Sequence, residues 1–272
     1  KVAFIIGRGW DQNDWEVKEF PTKDKLDALF PNTPVAVGRV DGHALLVNQA
    51  TIDLSGITKN TKVSGGEIIV ENGKMTGILI DAAMDFVKFP STTKQEAIQG
   101  LLDAQKISFS YGLTTVDDAG LGRQTIELID SLQKIKALKM RVYAMVSADT
   151  QENLDYYIQK GIVKTNRLNV RSFKVYGDGA LGSRGAAMRT SYADRDNHFG
   201  ALIYPAKRYQ EIAKQIAASD YQMNTHAIGD SANTWMLKTY KEVLSNNKNR
   251  RWRIEHAQIV APEDFKNFNN IL

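Results

Sequence analysis

Between about residue 91 and the C-terminus, apolar runs that read as strands alternate with helical patterns at a nearly fixed interval. The strand signals are Gly112–Val116, Met140–Val146 and three runs ending at Lys174, His226 and His256. Helical patterns fall near 91–110, 123–138, 150–160, 206–219 and 231–245, with Ser91 and Ser231 placed as N-caps. Val116 to Val146 is 30 residues, Val146 to Lys174 is 28, and His226 to His256 is 30. Such alternation predicts a parallel sheet covered by helices. The interval selects a kind of sheet, since a (β/α)8 TIM-type barrel of about 250 residues has roughly 31 residues per unit. About five βα units are visible, so the α/β barrel reads as incomplete. The 52 residues between Lys174 and His226 predict an enlarged loop at the carboxyl end of the sheet, where barrels build their sites. Pro262 is placed at the start of a last helix, with Phe265, Phe268 and Ile271 facing inward.

Residues 1–90 do not keep the period. They hold β-like pieces at 2–6, 34–40, 67–70 and 77–80, a turn at Glu71-Asn72-Gly73, and helical stretches near 22–29 and 81–88. They are read as an α+β insertion packed near the barrel mouth, with 91–272 forming the partial barrel.

Composition removes several chemistries. Among 272 residues there is no cysteine, which excludes disulfides, thiolate metal sites and thiol nucleophiles. No apolar stretch approaches the ~20 residues of a membrane span. The net charge of +4 is scattered; its densest run, 248–253, reads as a solvated loop beside a strand and not as a nucleic-acid surface. The expected partner is a small-molecule substrate, with homo-oligomers left open and neither nucleic acid nor a membrane span expected. The chain opens on Lys1 without an initiator Met, so it reads as part of a longer protein and its compartment, cytoplasmic or periplasmic, is not legible.

What remains is a constellation. If the three runs are parallel neighbours, Lys174, His226 and His256 meet at one end of the sheet. Neutral imidazole is a common zinc ligand. Burial lowers the pKa of a lysine, and the free amine can add carbon dioxide to become an anionic carbamate that bridges cations. A divalent metal, with zinc expected and one or two ions per complete site, is therefore the cofactor this set suits. Lys174, His226 and His256 are the candidate ligands and catalytic groups.

The segments Phe173–Arg184, Thr225–Asp230 and Ile254–Gln258 resemble the amidohydrolase superfamily, as do Gly7–Asp11, Asp41–Ala44 and Gly112–Val116. Within it they are similar to the branch holding N-substituted formamide deformylase and the exoenzyme regulatory proteins. The resemblance implies a metal-dependent hydrolase of non-peptide carbon–nitrogen bonds, with Lys174 carboxylated and His226 and His256 on one metal. It also implies a His-x-His pair and a proton-shuttling Asp on further strands; the chain has no His-x-His, so the fragment alone is expected to be inactive. Asp178, Arg184 and His43 are placed as substrate contacts, and by the same analogy Trp10 and Asp11.

Two other readings compete. Gly177-Asp178-Gly179-Ala180-Leu181-Gly182 matches a dinucleotide fingerprint, which would make the chain an oxidoreductase if a helix opens directly after it. A regulatory barrel that has lost its chemistry is the other. Asp117 and Asp118 are placed in a turn or helix cap after their strand, and His198 in a surface loop.

Overall fold

The computed structural model describes residues 3–244 and 249–268. The N-terminal part folds around a five-stranded sheet. Its elements are β1 (Ile5–Trp10), α1 (Asp24–Leu29), β2 (Val35–Arg39), β3 (Ala44–Val47), α2 (Gln49–Ser55), β4 (Gly66–Glu71) and β5 (Lys74–Asp81). The strand order is β1-β2-β3-β5-β4, with β1 and β2 parallel and the other pairs antiparallel. Asn72 and Gly73 both take positive φ (50° and 76°), as a tight right-twisted hairpin requires, and this joins β4 to β5. Every residue of β3 is buried, because Leu45 and Val47 enter one apolar cluster while Ala44 and Leu46 enter another on the opposite face.

The larger part begins with α3 (Lys94–Ser110), capped by Thr93 and Glu96 in a reciprocal pair. There follow β6 (Thr115–Leu121), α4 (Arg123–Lys134), β7 (Arg141–Ser147), α5 (Gln151–Lys160), β8 (Val163–Lys164) and β9 (Leu168–Tyr176). After a long loop come α6 (Ala206–Ala217), β10 (Gln222–Ala227), α7 (Asp230–Val243), β11 (Arg253–His256) and α8 (Phe265–Phe268). The parallel strands run β11-β10-β9-β7-β6 as a half-barrel, and the short β8 pairs antiparallel to β9. Its helices pack their apolar faces on one side: Ile126 and Ile129, Leu154 and Tyr157, Ile212 and Ile216, Met236 and Tyr240 bury against Val142, Val170, Phe173, Met223 and Trp252. That packing fixes the strand ends, and hence the site, to a rigid scaffold.

Several local expectations change. The cap of α3 is Thr93, not Ser91, and that of α7 is Gly229, with Ser231 inside the first turn. The 81–88 stretch is a 3-10 turn, Ala82–Phe86, too short of helical hydrogen bonds to continue. Asp117 and Asp118 lie within β6, opposite Tyr143 and Ala144, because the strand runs on past Val116 to a bulge at Gly120. Phe265 is 62% exposed and not inward-facing, whereas Phe268 packs on the core; Ile271 and Lys248 lie outside the described residues.

Close backbone approaches fasten the β9–α6 loop. Gly200 sits at φ +64°, and a Cβ there would lie 2.0 Å from the Ala186 carbonyl oxygen. Left-handed backbone already costs a non-glycine residue roughly 1–2 kcal/mol. Gly200→Ala is therefore expected to lower unfolding free energy by at least about 2 kcal/mol, read from urea denaturation. An unchanged midpoint would show that this approach is not held in solution.

Candidate active site

Parallel register explains which side chains share the carboxyl end of the half-barrel. Asn224 of β10 pairs with Lys174, His226 with Tyr176, and Ala227 with His256 of β11. The His226 and His256 rings consequently lie with centroids 4.6 Å apart, and Tyr176 lies 5.7 Å from His226. The Lys174 ammonium sits 3.7 Å from the centre of the Tyr176 ring. All four line a cavity of about 910 Å³ bounded on its other side by Asp11, Arg39, Asp41, His43, Asp81 and Asp85 of the N-terminal part. His256 (φ 74°) and Ala257 (φ 43°) are both left-handed, turning the chain sharply out of the sheet as β11 ends.

Burial lowers the proton affinity of all three basic groups. Burial, then the neighbouring His43, push the His226 imidazole down to about 3. Burial pushes the Lys174 ammonium down to about 8, with Glu255 opposing. His256 is lowered too, by burial first and Lys174 second. Neutral imidazole and free amine are the forms able to bind a cation.

The other expected residues fall in different places. His43 lines the cavity, and its Nδ1 lies 2.7 Å from Asp81 Oδ1. Asp11 also lines it while accepting from Arg39 Nη2 at 2.5 Å. Asp178 borders the cavity but is fully buried: its Oδ1 accepts the Ile228 N–H, and its Oδ2 those of Gly229 and Ala187. Arg184 pairs with Asp194 at 2.9 Å and lines a smaller neighbouring cavity of about 200 Å³. Trp10 donates to the Val37 carbonyl, stacks on Trp15 and meets Phe20 edge to face, without lining the large cavity. His198 bonds the Arg184 carbonyl within the loop. No helix opens after Gly182; α6 begins at Ala206, so the dinucleotide fingerprint lacks its phosphate-binding helix terminus.

Asp81, Tyr176, Tyr204, Asp85 and Asp149 also line the cavity and were not anticipated. The signal for Asp81 was its place at the end of the apolar run 77–80, but its partner is 38 residues away. Among the described residues, no group of three or more His, Cys, Asp or Glu is arranged to hold an ion. Burial lowers the proton affinity of Lys174, His226 and His256 alike, which leaves the two imidazoles neutral at pH 7 and brings the lysine within about one unit of losing its proton.

A sequence profile described as an amidohydrolase family matches residues 1–272. The protein LONG AFTER FAR-RED 3 of Arabidopsis thaliana is 31% identical, the match covering 99% of this chain and 49% of that protein. The N-substituted formamide deformylase of Arthrobacter pascens is 25% identical, over 88% of this chain and 47% of that enzyme. In fold, the chain is similar to an uncharacterized metal-dependent hydrolase from Pyrococcus horikoshii, with a TM-score of 0.69 at 24% identity, covering 98% of this chain and 52% of that one. The chain thus spans about half the length of these relatives.

Proposed function

The chain belongs to the amidohydrolase family, and we propose that the protein of which it forms part uses a divalent ion to hydrolyse a non-peptide carbon–nitrogen bond in a small amide, formamide or cyclic amide. The observation that carries this reading is the convergence of Lys174, His226 and His256 on one cavity, with burial depressing all three pKa values. The relative named as a formamide deformylase and the structural neighbour named as metal-dependent agree with it.

Lys174, His226 and His256 would hold the ion, and a carboxylated Lys174 would add the negative charge that this neutral set lacks. When bound, such an ion polarises a carbonyl and acidifies water. The protein's own part is positional. Packed strands fix the three donors, and the enlarged loop contributes Ala180, Leu181 and Tyr204 to the cavity wall. Asp11 and Asp41, tied to Arg39, border the entrance from the N-terminal part.

The full-length protein, produced with zinc or manganese supplied, is expected to retain roughly one or more divalent ions per chain, counted by elemental analysis. It is also expected to release amine from simple formamides or cyclic amides. Retention of substantially less than one ion, with no hydrolysis, would remove this reading.

A further inference from the structure

The cavity holds a second pair of side chains that this reading does not use. His43 immediately precedes β3, Asp81 ends β5, and the antiparallel pairing Ala44↔Ile80 carries straight on to them: the Asp81 N–H donates to the His43 carbonyl at 3.2 Å. The same register sets His43 Nδ1 against Asp81 Oδ1 at 2.7 Å. The Asp81 side chain is only 4% exposed, and His43 is its one hydrogen-bonding side-chain partner among the described residues.

Three features show that the fold is built to keep this pair. Asp81 occupies φ 48°, ψ −121°, a conformation costly for any residue with a Cβ. Gly179 and Gly185 clear the space around it, since a Cβ at either would lie 2.0 Å from Asp81 Oδ2. The Asp41 carboxylate accepts the His43 backbone N–H at 3.0 Å and so fixes the residue from its other side. With Nδ1 turned to Asp81, Nε2 is on the far side of a ring that borders the cavity, 4.9 Å from the His226 ring between centroids.

The geometry points to His43 as the residue that recognises the substrate's N–H, with Asp81 as its positioning residue. In the arrangement we assign, Nδ1–H donates to Asp81 Oδ1 across the 2.7 Å contact, and a ring carrying that single proton offers Nε2 as an acceptor. The site would therefore take amides that carry an N–H next to the scissile carbonyl, namely secondary formamides and cyclic amides, ahead of N,N-disubstituted ones. This rests on the proposed hydrolase reading but concerns only which substrates it admits.

The test uses 15N-labelled full-length protein, with the His43 ring signals identified by their loss in His43→Gln. N-benzylformamide and N-benzyl-N-methylformamide are the probes. The ligand-free protein is expected to show a protonated Nδ1 and a bare Nε2, with Nε2 shifting on addition of the N–H probe and not of the methylated one. Asp81→Asn is expected to scramble the ring's proton between the two nitrogens and weaken binding of the N–H probe about tenfold, the worth of one hydrogen bond, while leaving the methylated probe unaffected. A protonated Nε2, equal responses to both probes, no response to either, or an Nε2 shift caused by zinc alone would each overturn the assignment. Absence of hydrolysis with the His43 response intact would instead remove the hydrolase reading, and with it the word substrate, while His43 would still be shown to accept a bound amide's N–H.

Discussion

Asp178→Ala is expected to cost the fold roughly 3–9 kcal/mol, a large stability effect for a single substitution. The carboxylate accepts three buried backbone N–H groups, at 2.8 to 2.9 Å, from Ala187 in the enlarged loop and from Ile228 and Gly229 at the β10–α7 turn. Alanine leaves all three unpaired, and each buried orphan costs about 1–3 kcal/mol. Asp178→Asn is a finer probe. The amide oxygen can take the Oδ2 place and keep the Ala187 and Gly229 bonds, but the NH2 group then faces the Ile228 donor, so a smaller loss remains. Chemical denaturation reads both. Had Asp178 served only as a substrate contact, alanine would leave unfolding unchanged and act on KM alone.

The same group sets a pH dependence. Burial, opposed by the three N–H bonds, raises Asp178 to about 6 from an ordinary 3.8. A carboxyl raised on folding binds its proton more tightly in the native state, so native stability falls as pH rises from about 4 to 6. His226 acts in the opposite sense. Its imidazole is lowered to about 3 from 6.5, so the stability it contributes in ion-free protein is complete above pH 6.5 and lost as pH falls towards 3. The two slopes oppose each other between about pH 4 and 6.

The strand–helix period was legible because parallel strands buried by helices leave short apolar runs at a fixed spacing, and Lys174, His226 and His256 inherit their shared location from that spacing. β3 was not legible. Ala44-Leu45-Leu46-Val47 is covered on both faces, so it shows no alternation to mark a strand. Missing β3 meant missing its register with β5, and with it the His43–Asp81 pair. The glycines of the 177–182 run follow the same logic. They look like a phosphate loop in one dimension, yet Gly179 gives way to the Asp81 carboxylate and Gly182 to the Arg39 guanidinium. Their cause is a packing partner far away in the chain.

Lys174→Met is expected to separate stability from activity. The side chain is 4% exposed, and burial holds its ammonium down to about 8 from 10.5. A base lowered on folding contributes its full stability only above pH 10.5 and has lost it once pH falls below about 8. At pH 7 the uncarboxylated amine is therefore a burden of up to about 3 kcal/mol, because each tenfold loss of proton affinity on folding is worth about 1.4 kcal/mol. Methionine fills a similar volume without charge and packs against the Tyr176 ring that the ammonium now covers. The variant is expected to unfold at equal or higher denaturant concentration at pH 7, with the advantage shrinking as pH rises past 8. Hydrolysis by the full-length protein is expected to fall by at least about a hundredfold, which corresponds to roughly 2.7 kcal/mol of transition-state stabilisation, and short carboxylates are expected to restore part of it in Lys174→Ala by occupying the vacated space. Full activity in Lys174→Met would show that this amine has no part in the chemistry.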